Sequence, residues 1–239
     1  LASLKVLNLN FTKVSNLTPL AGLMRLEVLD LRHTKVVDLT PLERLTGLEE
    51  LDLTDTKVTN LAPLAGLKGL EELNLSYTLV SDLTPLAELK GLRELDLSYT
   101  GVTDLTPLGE LTGLTSLHLN EDQITDLTPL TKLTGLKSLT FHEDDNTYPL
   151  PRTWAEKQRI MAALGKLRKA LQNCRIGFAI HGRYEPHRTW LPEHPVSRTW
   201  QDSIPEHSEP STPSPPAELI LPIPPIDAVQ PLPLLPPSP

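Results

Sequence analysis

The chain has 239 residues and a formal net charge of −8, with 30 acidic against 22 basic side chains. That balance argues against a nucleic-acid or anionic-membrane binder, which would show a basic face, and a lone cysteine, Cys174, rules out an internal disulfide. No apolar run approaches the roughly 18 residues of a membrane-spanning helix, and aromatics make up 4% of the chain, so leucine has to carry the core.

From the first residues onward the chain repeats itself. Leu4, Leu26, Leu48, Leu70, Leu92, Leu114 and Leu136 stand 22 residues apart. A fixed period in the twenties marks a solenoid of stacked coils. Each coil opens on an apolar–polar–apolar strand pattern: Leu7/Leu9, Leu29/Leu31, Leu51/Leu53, Leu73/Leu75, Leu95/Leu97, Leu117/Leu119 and Leu139/Phe141. A turn follows, then apolar residues every three positions, as at Val58, Leu61, Leu64 and Leu67. That spacing suits a 3₁₀ piece. Proline recurs at 19, 41, 63, 85, 107 and 129, preceded by threonine except at Ala62. The pairing reads as an N-cap threonine followed by proline at the first helical position.

From residue 142 the period breaks. His142, Glu143, Asp144 and Asp145 make a polar loop that reads as solvated, with cation binding the lesser alternative. Thr153 to Glu156 is a capping-box start, and Ile160, Leu164, Leu167 and Leu171 fall on one helix face. Cys174, Ile176, Phe178 and Ile180 alternate like a strand. This helix and strand, 142–180, are expected to cap the array, with Cys174 a small buried apolar residue. Residues 181–239 hold 16 of the 24 prolines and are expected to be disordered. They contain Pro-x-x-Pro pairs such as Pro192/Pro195 and Pro222/Pro225, which read as linker ahead of docking motif. Arg-Thr-Trp occurs three times, ending at Trp154, Trp190 and Trp200; nothing in the sequence explains the triplication.

The phrase L-x-x-L-x-L-x-x-T-x-V-x-x-L-x-P-L-x-x-L over residues 1–141 resembles the leucine-rich repeat family. It is most similar to the 22-residue bacterial, internalin-like class. The resemblance implies an α/β solenoid: a leucine-rich repeat horseshoe of about seven coils, with a parallel concave sheet and a short 3₁₀ convex side. The family's usual turn asparagine is replaced here by Thr12, Thr34, Thr56, Thr78 and Thr100, then Asp122 and Asp144. These threonines are expected to form a structural ladder between coils.

Nothing pairs a nucleophile with a base, no glycine loop is arranged to cradle phosphate, and the histidines lack metal-ligand spacing, so no cofactor, metal or catalytic residue is expected. The more informative comparison is between coils. Residues flanking the inward leucines of a strand point to the open face. Glu50, Glu72 and Glu94 then form one column, and Asp30, Asp52, Asp96 and His118 the next. Arg32 lies in a third, and His33, Asp55, Tyr77, Tyr99 and Glu121 in a fourth. Aromatics beside a charged patch are typical of interface hot spots. These thirteen residues are the candidate contacts for a protein partner with a basic or mixed surface. Lys13, Lys35 and Lys57 at the rim read as a solubilising edge. Recognition without catalysis is therefore the leading expectation. A sensor arm of a larger signalling protein, with its effector upstream of Leu1, is the alternative, since the chain opens on a repeat boundary without methionine. An enzyme with its chemistry in the cap or tail is a third. The single cysteine fits a reducing, cytoplasmic setting.

Overall fold

A computed structural model describes residues 3–120, 126–142 and 154–179, without the side chains of 154–161, 178 and 179. All lie in one compact unit, Leu1–Glu185. Expectations for Glu121, Asp122, the 143–145 acids, Thr153, the Trp154 side chain and the 181–239 tail fall outside the described residues.

Short strands and 3₁₀ turns alternate as the period predicts. The strands are β1 (Val6–Asn8), β2 (Val28–Asp30), β3 (Glu50–Asp52), β4 (Glu72–Asn74), β5 (Glu94–Asp96), β6 (Ser116–Asn120), β7 (Ser138–His142) and β8 (Arg175–Ala179). They form one parallel sheet in sequence order. Its register is the 22-residue period made physical: Leu7, Leu29, Leu51, Leu73, Leu95, Leu117 and Leu139 pair in line. The 3₁₀ turns are Thr18–Leu20, Thr40–Leu42, Ala62–Leu64, Thr84–Leu86, Thr106–Glu110 and Thr128–Lys132. Between sheet and turns runs a continuous leucine core, in which Leu48, Leu51, Leu53, Val58, Leu61, Leu64 and Leu67 of one coil are all buried. In the first coil Leu4, Leu7 and Leu9 are only half-buried, since no described coil covers their outer side.

Helix α1 (Trp154–Ala170) packs on the last 3₁₀ turn, burying Leu164 and Leu167, with Leu171 buried just beyond its end. β8 then adds to β7 in parallel, Leu139 opposite Ile176. The sheet is thus continued by the C-terminal segment as well as covered by it.

Three local expectations are corrected. The threonine before each proline is not the cap. Each turn is preceded by an asparagine or aspartate whose Oδ1 accepts the N–H two residues on: Asn16 from Thr18, Asp38 from Thr40, Asn60 from Ala62, Asp82 from Thr84, Asp104 from Thr106 and Asp126 from Thr128, at 2.8–2.9 Å. Side-chain carbonyls of this kind cap turns well, which is why Ala62 is tolerated. Nor do the turn threonines bridge coils. Thr12, Thr34, Thr56, Thr78 and Thr100 each donate to the carbonyl three residues back, at 2.6–2.7 Å, and close the bend of their own coil. Cys174 is half-buried at the core's edge rather than fully enclosed, and burial pushes its thiol up from 9.0.

Candidate functional site

The open face of the sheet carries four columns of side chains, set about 4.8 Å apart from coil to coil by strand pairing. The column nearest the strand ends is as much structural as exposed. Asn8, Asp30, Asp52, Asn74 and Asp96 each accept the N–H two residues on, at 2.8–3.1 Å. Thr54 and Ser76 add their hydroxyls to the same acceptors, at 2.6 and 2.7 Å. Asp30, Asp52 and Asp96 therefore hold the bend that ends each strand, and asparagine does the same work in coils one and four. Burial pushes Asp52 up to about 6, against the opposing pull of the Thr54 bonds and Arg32. Arg32 forks onto Asp30, with Nε at 3.0 Å and Nη2 at 2.7 Å from its two oxygens, and its Nε lies 3.4 Å from Asp52 Oδ2 in the next coil. One guanidinium thus joins two in-register carboxylates.

The neighbouring column has carboxylates in register without such a bridge. Glu50 pairs with Glu72, and Glu72 with Glu94. Glu72 is 6% exposed, and its Oε2 has no hydrogen-bond partner among the described residues. Its carboxyl is pushed up to about 8, first by burial, then by the charges of Glu50, Glu94 and Glu71. Glu50 and Glu94 on either side remain half-buried. No sequence signal separates Glu72 from its neighbours; the difference comes from its place in the middle of the column.

The rim column holds a feature that composition hides. Phe11, His33, Asp55, Tyr77 and Tyr99 all have left-handed backbone, φ 51–57°. Non-glycine residues bear roughly 1–2 kcal/mol there. The N–H groups of Phe11, His33, Asp55 and Tyr77 bond a carbonyl of the next coil at 2.9–3.0 Å, and that of Tyr99 bonds Asn120 Oδ1 at 2.6 Å. The turn aims the side chains outward in a row. Phe11 stacks on His33 and Tyr77 on Tyr99, each with ring centroids 4.3 Å apart, geometry worth about 0.5–1.5 kcal/mol per pair. His33 Nδ1 lies 2.8 Å from Asp55 Oδ2. Farther along, His118 Nδ1 and His142 Nε2 are 3.1 Å apart, one ring donating to the other. His142 also tilts toward Tyr99, with centroids 6.2 Å apart.

Of the thirteen sequence candidates, Glu121 lies outside the described residues. The other twelve share this face, in a carboxylate column, a bend-holding column with Arg32, and a ring-bearing rim. Sequence reasoning placed His142 in an acidic loop; it belongs to β7, one period after Asn120, and the register could have found it. Among the described residues no three His, Cys, Asp or Glu side chains group to hold a metal, and no helix is long and apolar enough to cross a membrane.

Comparison with known proteins agrees with this architecture. The chain is similar in structure to internalin C2 from Listeria monocytogenes, at 26% identity and a TM-score of 0.59, over 74% of this chain and 71% of that one. It is also similar to internalin F from the same species, at 24% identity and a TM-score of 0.53, over 76% of this chain and 57% of that one. No curated protein sequence matches. A family model for pairs of leucine-rich repeats matches residues 2–44, 46–88 and 90–132, more than half of the chain. With its 22-residue coils, parallel sheet and 3₁₀ turns, the chain belongs to the leucine-rich repeat family.

Proposed function

We propose that this protein is a non-enzymatic recognition module that binds a protein partner on the open face of its sheet. Leucine-rich repeat proteins and internalins are generally protein-interaction modules. The observation that carries the reading is the carboxylate column Glu50–Glu72–Glu94 standing beside the stacked Tyr77–Tyr99 pair on one regular surface. Charge of one sign steers encounter with a basic or mixed surface, and tyrosines supply rigid contact area with few torsions to freeze. A variant carrying Glu72→Lys, Glu94→Lys, Tyr77→Ala and Tyr99→Ala should keep its circular dichroism spectrum and lose capture of partners from lysate of the source cells. Capture that survives intact in a folded variant overturns the proposal.

A further inference from the structure

Resting on that reading, the geometry points to a defined seat within the face: Glu72, between Glu50 and Glu94, receives one arginine side chain of the partner. Three observations converge. Glu72 is more than nine-tenths buried in the middle of the column and its Oε2 has no partner, an arrangement that leaves a buried acceptor uncompensated. The two columns beside the inward leucines contain no lysine or arginine anywhere in coils three to five. The chain therefore supplies no counter-charge there from its own strands.

The third observation is an internal template. Two coils earlier the chain itself provides a guanidinium. Arg32 forks onto Asp30 and reaches Asp52 across one coil step. Five donors in a planar fork can serve two carboxylates one strand spacing apart, which a point-charge ammonium does less well. The glutamate column repeats that arrangement of carboxylates in adjacent strands, without the guanidinium. Glu50 and Glu94 are half-exposed, so they can part to admit one and then close on its flanks. A guanidinium is also the less strongly hydrated cation, and costs less to bring to a buried acceptor.

The test uses the full chain, with glutamate side-chain carboxyls labelled with carbon-13 and Glu72 assigned by loss of its signal in Glu72→Gln. The probe is a capped Gly-Ser-Arg-Ser-Gly peptide, with citrulline and lysine versions as controls. Saturating arginine peptide should lower the proton affinity of Glu72 at least tenfold, while the neutral citrulline peptide leaves it unchanged. Glu50→Gln/Glu94→Gln should abolish the response; an equal-charge variant at distant acids, Glu43→Gln/Glu88→Gln, should preserve it. No response, or an equal response to citrulline, overturns the seat, and an equal response to lysine overturns its guanidinium character. Once a partner has been captured, undiminished binding by Glu72→Gln with loss by Tyr77→Ala/Tyr99→Ala overturns the seat alone. Undiminished binding by both overturns the open-face reading as well.

Discussion

Replacing Glu72 by glutamine isolates the cost of holding three carboxylates in one column. The folded protein holds the Glu72 proton more tightly than the unfolded chain, about 8 against 4.5. The stability linked to this group is therefore complete below pH 4.5 and is lost as pH rises toward and past 8. A tenfold difference in proton affinity is about 1.4 kcal/mol, so full ionisation costs at most about 5 kcal/mol. Outward movement of the half-exposed Glu50 and Glu94 should relieve part of this and leave about 2–3 kcal/mol, still a large fraction of a domain's stability. Glutamine keeps the shape and carries no charge. Urea unfolding of both proteins should then give coincident free energies at pH 4 and a gap that widens steadily to pH 9, the variant being the more stable. Asp52, raised to about 6, bends both curves in the same sense and cancels in the difference. A gap that stays constant with pH, or a variant less stable at pH 9, would refute the reasoning.

Four further outcomes follow from the same geometry. Asp52→Asn should change stability by less than about 1 kcal/mol, because Asn74 makes the equivalent bonds one coil on; Asp52→Ala orphans the Thr54 N–H and should cost about 1–3 kcal/mol by urea unfolding. Asn60→Ala should cost about 1 kcal/mol through loss of the turn cap, whereas Thr84→Ala should be silent by the precedent of Ala62. Gly113→Ala would put a Cβ 2.6 Å from the Lys90 carbonyl and should lower stability by about 1–3 kcal/mol, while Gly22→Ala, with open space around it, should not, as thermal melts of the pair would show. Asp38, Asp82, Asp104 and Asp126 are held below 3.8 by the hydroxyl and N–H of the threonine two residues on. Their contribution is present above that value and fades as pH falls through the lowered range, so a protein with all four changed to asparagine should lose less stability between pH 4 and pH 2.

The fold was legible because one number, 22, sets everything that depends on stacking: which leucines pair, which side chains share a column and where each 3₁₀ turn recurs. Local chemistry was less legible. Thr-Pro looks like a cap and turn start in sequence, yet the capping atom belongs to the Asn or Asp two residues earlier, since the leucine between them carries no polar group. The turn threonines could as well have bonded forward as back; only the coil's bend decides. The left-handed rim was hidden altogether, because the residues there are Phe, His, Asp and Tyr, not the Gly or Asn that such backbone favours. Glu50, Glu72 and Glu94 read alike as letters, and diverge only when burial separates the middle one from its neighbours.

The strictly sequential order of the parallel strands has a mechanical consequence. Each strand from β2 to β7 is bonded only to the strands before and after it in the chain, so tension applied at the two ends of the stack loads these ladders one after another instead of shearing them together. A coil of 22 residues stretches to about 75 Å and gives up about 5 Å of stack height. A pulled array should therefore lengthen in sawtooth steps of about 70 Å, at modest force, and rewind coil by coil when released. Such a chain is a tether whose slack is metered by its own repeat.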